Sequence, residues 1–325
     1  MIKNLISRFT QMIIVLFVLS IITFILMKLT PGNPIDKILQ LDVANVSSTQ
    51  IEATKEKLGL NQPLIVQYFQ WLTHIVRLDF GLSYQTGSPV IQELLYYAPP
   101  TLIIALCTIV VVLCISIPLG VLSAKYYHTW IDTLIRTLTS LTVSVPSFFV
   151  GILLIYIFAQ QLQLLPSSGT DNITGYILPV IALSIGMSAY YVRLIRSTVI
   201  EQFRSKEVEA SRIRGMSEYY ILWHDMFKPT MIPVVTMLGM SVGSLIGGTV
   251  VIENLFGIPG LGYFLMDSIR ARDYPVVQGA VLLIGFCVVI ANIVSDLLLL
   301  WLDPKRRSYQ PIRQHQLDKQ GGGIQ

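Results

Sequence analysis

In a chain of 325 residues, 53% of positions are hydrophobic and only 13% carry charge, whereas a soluble domain carries charge at about a quarter of its positions. With a mean hydropathy of +0.64, this is the composition of an integral membrane protein. The formal charge of +4 does not call for a nucleic-acid partner, because the basic residues gather where apolar runs end.

The first apolar run, Phe9 to Met27, follows Lys3 and Arg8 and precedes the turn Pro31-Gly32-Asn33-Pro34. It is long enough to span a bilayer and is not followed by a small-residue cleavage site, so it reads as an uncleaved first transmembrane helix (1–30) rather than a signal peptide. Residues 31–98 form the longest polar segment, with helix-like stretches from Thr49 to Leu58 and from Leu64 to Val76. Further apolar runs cover Thr101 to Ala124, Leu138 to Leu162, Tyr176 to Val192, Met231 to Ile252 and Val276 to Leu302. The expected fold is therefore all-α with six transmembrane helices, five of them in a core over 99–303. The polar tail, 304–325, ends Gly321-Gly322-Gly323-Ile324-Gln325 and is expected to be disordered. Cys107, Cys114 and Cys287 lie inside apolar runs and read as small core hydrophobes rather than a disulfide framework.

Cationic residues set the expected orientation. With both termini in the cytoplasm, sixteen of the 23 Lys and Arg residues fall on the inner side, among them Lys125, Arg136, Arg193, Arg196, Arg204 and Lys228. The 31–98 segment would then be external; it carries four basic residues against six acidic ones, and the 163–175 loop carries no basic residue.

Between the fourth and fifth runs lies a polar, helix-prone island, Glu207 to Pro233, within a loop of about 197–230. Tyr219, Leu222, Trp223 and Met226 fall at i, i+3, i+4 and i+7, one stripe of a helix for which Ser217 stands as N-cap. Gly215 separates it from an earlier helix carrying Val208, Ala210, Ser211 and Ile213. Two such short helices cannot bury enough surface to fold alone, so they must dock on a partner or lie on the lipid surface.

Within the spans, Pro118, Pro146 and Pro179 are expected to kink helices. Gly239, Gly243 and Gly247 repeat every four residues and mark a close helix contact, either within the chain or at a subunit interface. Gly239-Met240-Ser241-Val242-Gly243 also fits G-x-S-x-G, but it lies inside an apolar run and not at a strand-to-helix turn, so no hydrolase is read from it. His74, His128, His224 and His315 have no metal-ligand spacing, and no metal site is readable. No G-x-x-x-x-G-K-[ST] stretch is present, so ATP, if used, is bound by another chain. Asp296 is the one acid plainly inside an apolar span and is read as a packing or border residue rather than part of a transport path.

The stretch before the sixth span, Ile252-Glu253-Asn254-Leu255-Phe256-Gly257-Ile258-Pro259-Gly260-Leu261-Gly262, has the Gly and Pro density of a tightly folded loop. Together with Glu209-Ala210-Ser211, three intervening residues and then Gly215, and Ile232-Pro233 beyond, it resembles permeases of the dipeptide, oligopeptide and nickel branch of ABC importers. The external segment with Leu58-Gly59-Leu60-Asn61-Gln62-Pro63-Leu64 and Leu78-Asp79-Phe80-Gly81-Leu82-Ser83, and the closing Leu302-Asp303-Pro304, are similar to the same branch over residues 1–307. Ser211 departs from the family's usual second Ala but is small enough for the same contact.

The resemblance implies a non-catalytic permease subunit in a bacterial plasma membrane. Its partners would be a second permease, two ATPase subunits that bind ATP and Mg, and an extracytoplasmic substrate-binding protein; this chain would bind no cofactor. Glu209, Ala210, Ser211, Arg214, Gly215, Tyr219, Leu222 and Trp223 would form the cytoplasmic ATPase-docking loop, and Glu253, Asn254, Pro259 and Gly260 an external loop. Gly247-Gly248-Thr249-Val250-Val251-Ile252-Glu253-Asn254 and Ser211-Arg212-Ile213-Arg214-Gly215 look more like nickel permeases than peptide permeases, leaving nickel as the first reading and a di- or oligopeptide as the second. A secondary transporter or channel is the remote alternative, for which only Asp296 offers a buried charge.

Overall fold

The computed structural model describes residues 2–29, 48–57, 59, 61–169 and 172–303. The turn at 31–34 and the tail at 304–325 lie outside them. The described chain runs α1 (Ile2–Leu29), α2 (Ser48–Lys57), α3 (Leu64–Val76), α4 (Val90–Lys125), α5 (Trp130–Val143) and α6 (Ser147–Leu154), the last extended by a π-helical turn, Ile155–Gln161. A 3-10 turn, Ile173–Tyr176, leads into α7 (Ile177–Phe203), which is followed by α8 (Lys206–Ile213), α9 (Glu218–Tyr220), a π-helical turn Ile221–Met226, α10 (Phe227–Leu255), α11 (Leu261–Ala271) and α12 (Tyr274–Leu302). Among the described residues the one β pairing is an isolated bridge between Leu82 and Pro89.

Five helical runs are long and apolar enough to cross a membrane: Thr10–Leu29, Val90–Lys125, Ile173–Phe203, Glu218–Leu255 and Tyr274–Leu302. The third expected span is not one straight helix, since α5 and α6 meet at 97° and make a sixth crossing only as a bent pair. Pro146 accounts for the break. The ring excludes Val145 from helical backbone, so α5 stops at Val143 and α6 starts afresh behind Pro146. Pro179, by contrast, lies in the first turn of α7, where the missing N–H would have no partner in the helix; there it leaves the helix unbroken. Helix α4 starts at Val90, so the boundary expected at residue 98 falls inside it, and Pro99, Pro100 and Pro118 are all within this helix.

Small residues explain how tightly the bundle closes. Along α4 the buried positions include Thr101, Ala105, Thr108, Ser116 and Gly120, a stripe that lets α7 approach. A Cβ on Gly120 would lie 2.7 Å from Ile195. Gly285 does the same for α1, whose Leu19 occupies the space a side chain there would need.

The core divides along the length of the spanning helices. At the end that bears α8 and α9, Val112, Tyr191, Ile195, Val199, Val208, Ile221 and Met226 pack together. Toward the opposite end, Ile104, Leu178, Ile252, Phe256 and Ile258 form a second cluster, and Val90, Leu94, Leu261, Phe264 and Val276 a third. The cysteines are not core residues as expected: Cys107 and Cys114 are exposed on the outside of α4, and Cys287 is half-buried.

Candidate functional site

The polar island folds as a hairpin whose local chemistry is legible residue by residue. Ser205 caps α8 by accepting from the Val208 N–H at 3.4 Å, and Ser217 caps α9 by accepting from the Tyr220 N–H at 3.2 Å. Between them Gly215 takes φ +77°, a left-handed conformation open to glycine without strain, and the Met216 N–H closes the turn on the Ser211 carbonyl at 3.1 Å. Arg212 spans the turn to Glu218, with N···O distances of 3.0 and 3.2 Å, while Arg214 donates to the Ser211 hydroxyl at 3.1 Å.

Only part of the hairpin is packed. Val208 and Ser211 are buried against the bundle, whereas Glu209, Ala210, Arg214 and Gly215 are exposed. The expected stripe of Tyr219, Leu222, Trp223 and Met226 is split. A π-helical turn brings i and i+5 to one face, so Ile221 and Met226 point into the core, Leu222 is half-buried, and Tyr219 and Trp223 project outward. Nor is the second helix a separate unit, because it runs directly into α10. The outcome is a tip with Ile213 at 81% exposure and Tyr219 at 74%, an apolar surface attached rigidly to a long spanning helix.

A buried ion pair braces the same end. Arg196 donates to both carboxylate oxygens of Asp132 at 2.7 Å, Ser123 donates at 2.6 Å and the His128 N–H at 3.2 Å. Tyr127 covers the guanidinium, 5.2 Å from ring centre to Cζ. The α4–α5 corner is thus clamped to α7. In the sequence Arg196 stands only as a border charge, and nothing local pairs it with Asp132. The usable signal was that Asp132 is the lone acid between Glu93 and Asp171.

At the opposite end Glu253, fully buried, organises the loop before α11. One carboxylate oxygen accepts from the Thr101 hydroxyl at 2.7 Å, and the other from the Gly262 and Tyr263 N–H groups at 2.7 and 2.9 Å. Thr101 in turn accepts from the Leu261 N–H at 2.8 Å. The carboxylate therefore satisfies the first N–H groups of α11, where helix partial charge favours an anion. Any side chain at Gly260 would overlap the Glu253 carboxyl, and a Cβ at Gly262 would lie 2.5 Å from the Val250 Cα. Pro259 is half-buried beside them, and Asn254 is exposed, its amide donating to the Val250 carbonyl at 2.8 Å. A second clasp lies near: Asp273 caps α12 and accepts from the Ser83 hydroxyl at 2.5 Å and the Gln85 N–H at 3.1 Å. Burial against this corner, with the Asp273 charge adding to it, pushes the Tyr84 phenol up to about 12.

The glycine repeat serves two surroundings. A Cβ at Gly239 would meet Ser295 of α12 at 3.0 Å, and one at Gly243 would reach Val288 at 3.8 Å, while Gly247 is exposed with nothing within 4 Å. Gly239 to Gly243 lies wholly within the unbroken α10, so it makes no nucleophile elbow. Asp296 lines a cavity of about 310 Å³ between α1, α10 and α12, together with Gln11, Thr236, Asn292 and Ser295. No cluster of three His, Cys, Asp or Glu residues that could hold a metal occurs among the described residues.

Comparison with known proteins gives this arrangement its context. Residues 116–308 match the family described as "Binding-protein-dependent transport system inner membrane component", and residues 1–105 match "Binding-prot-dependent transport system membrane comp, N-term". The chain is 56% identical over 306 residues to the "Nickel import system permease protein NikB" of Staphylococcus aureus strain USA300, covering 94% of this chain and 92% of that one. It is 55% identical, over the same shares, to the protein of that description in the bovine strain RF122 / ET3-1. Among solved structures, an inward-facing form of the MetNI methionine ABC transporter aligns with a TM-score of 0.55 at 17% identity, over 65% of this chain and 97% of that one. A second crystal form gives 0.53 at 16% identity, with 66% and 97% coverage. At such identities the likeness is one of fold.

Proposed function

The chain belongs to the binding-protein-dependent transport system inner membrane component family, and on that premise we propose that it is the permease subunit of an ATP-driven importer that carries nickel, free or chelated, into the cell. The observation that carries the substrate is the 56% identity, across 94% of the chain, to a nickel import permease. The permease itself performs no covalent chemistry in this reading. It forms the path with a second permease chain, while two ATPase subunits bind ATP and Mg, and an extracytoplasmic protein delivers the cargo.

The geometry suits that division of labour. The hairpin presents Glu209, Ala210, Tyr219 and Trp223 to a partner, and its second half is continuous with α10. A push on the tip is therefore delivered to a spanning helix and not absorbed by a loop. In the proposed orientation this tip is cytoplasmic, and the Glu253 hub lies at the external end of the same helix. ATP-driven closure of the ATPase pair would shift the hairpin and α10, and bias the bundle between inward- and outward-facing states. Capture of the ATPase by this chain in membranes, lost on Gly215→Trp while the permease stays in the membrane, tests the docking assignment. Full retention of the ATPase by that variant overturns it.

A further inference from the structure

Helix α3 (Leu64–Val76) lies in the segment expected to be external and polar, yet the helix contains no Asp, Glu, Lys or Arg. It presents three distinct faces. Tyr68 and Trp71 rest on α1, their rings 5.4 and 6.0 Å from that of Phe24, and the Tyr68 hydroxyl is 2.9 Å from that of Ser20. Gln67, Gln70 and His74, at i, i+3 and i+7, make a polar face. Ile65, Phe69, Leu72 and Val76, at i, i+4, i+7 and i+11, make a third face that is wholly apolar. Among the described residues nothing covers the outer part of that third face: Ile65 is 71% exposed, Phe69 56% and Val76 78%, with Leu72 half-buried beside them.

What covers it is set by where α3 is held. Its contacts on α1 include Ser20, Phe24 and Lys28, all within the Thr10–Leu29 span. Ser20 precedes Leu29 by nine residues, or about 13 Å along a helix at 1.5 Å per residue. A helix seated there is at the depth of one lipid leaflet, not out in solvent. The Lys28 ammonium, at the end of α1, donates to Gln67 Oε1 at 2.6 Å and so marks the polar side of α3 as the side turned toward water. Trp and Tyr between an apolar and a polar face are what the membrane–water border selects.

We propose that α3 is an interfacial helix lying in the leaflet at the C-terminal end of α1, with Ile65, Phe69, Leu72 and Val76 among the lipid acyl chains and Gln70 and His74 at the headgroups. In this arrangement the 31–98 segment is tethered to the bilayer beside the bundle. The tether reaches the Glu253 end through the Ser83–Asp273 clasp, which lies ten residues or fewer beyond α3 on the same strand of chain.

The test uses single cysteines placed by Ile65→Cys, Phe69→Cys, Gln70→Cys, His74→Cys and Val76→Cys in a full chain whose three native cysteines are serine. Each variant is purified with its partner subunits, spin-labelled and reconstituted in vesicles of phosphatidylethanolamine and phosphatidylglycerol. The substituted side chains are exposed, and of the five only His74→Cys gives up a side-chain hydrogen bond, the 3.0 Å bond from its ring to Asp79. Oxygen, which concentrates in acyl chains, is expected to relax labels at 65, 69 and 76 several-fold more than chromium oxalate does, with the ratio inverted at 70 and 74. Chromium oxalate reaching 65, 69 and 76 would make this face aqueous and overturn the proposal. Exclusion of both reagents from those three positions would mean that a second protein chain covers the face, and would overturn it equally.

Discussion

Thr101 and Glu253 are 152 residues apart in sequence and share a 2.7 Å hydrogen bond in the interior, through which α4, α10 and the start of α11 become one rigid corner. Glu253→Ala leaves the Thr101 hydroxyl and the Gly262 and Tyr263 N–H groups without their acceptor. Each buried group so orphaned costs about 1–3 kcal/mol. The variant is expected to unfold several degrees lower in detergent and to lose transport. Thr101→Val, which strands the Leu261 N–H, is expected to fall between it and wild type. Thermal unfolding of the three proteins side by side checks the order.

Removing Asp132 leaves the half-buried Arg196 charge without its partner, whereas replacing both members of such a pair with apolar groups is often close to neutral. Asp132→Ala is therefore expected to destabilise the chain more than the double variant Asp132→Ala with Arg196→Met. A double-mutant cycle on thermal stability measures the difference.

Gly239 and Gly247 belong to one sequence repeat but are predicted to respond differently. Gly239→Val drives a side chain into Ser295 of the same chain and is expected to lower the stability of the permease itself. Gly247→Val meets nothing within 4 Å. It is expected to leave the stability of the isolated chain unchanged, and any loss should show only in co-purification of the second permease.

How far these features could be read from sequence depended on their range. Apolar runs and cap residues are local, so five of the six spans, the helix at Leu64–Val76, the Ser217 cap and the Gly215 turn are found where the pattern puts them. The 97° break was half legible: Pro146 announced a kink, but not that the run would divide into two helices. Tyr219, Leu222, Trp223 and Met226 read as a single stripe only at a 3.6-residue period; the π-helical turn instead buries Met226 and leaves Tyr219 and Trp223 outward. The Asp132–Arg196, Ser83–Asp273 and Thr101–Glu253 pairs were not legible at all as pairs, since 64, 190 and 152 residues separate their members. Glu253 and Gly260 were singled out by resemblance alone, and it was the fold that brought them into contact.

The split of the hairpin stripe makes its own prediction. Met226→Ala opens a cavity in the core and is expected to cost about 2–5 kcal/mol in stability. Tyr219→Ala and Trp223→Ala remove exposed rings, and are expected to leave the melting temperature nearly unchanged while weakening retention of the ATPase during purification. Parallel melting and pull-down measurements separate the two classes.

The most direct test of the account is uptake of radiolabelled nickel by cells that carry or lack this chain, with and without excess di- and oligopeptides. The account predicts that uptake falls to background on deletion, returns with the wild-type chain but not with Gly215→Trp, and is not competed by peptides. Unchanged nickel uptake on deletion, with loss of peptide uptake in its place, would contradict it.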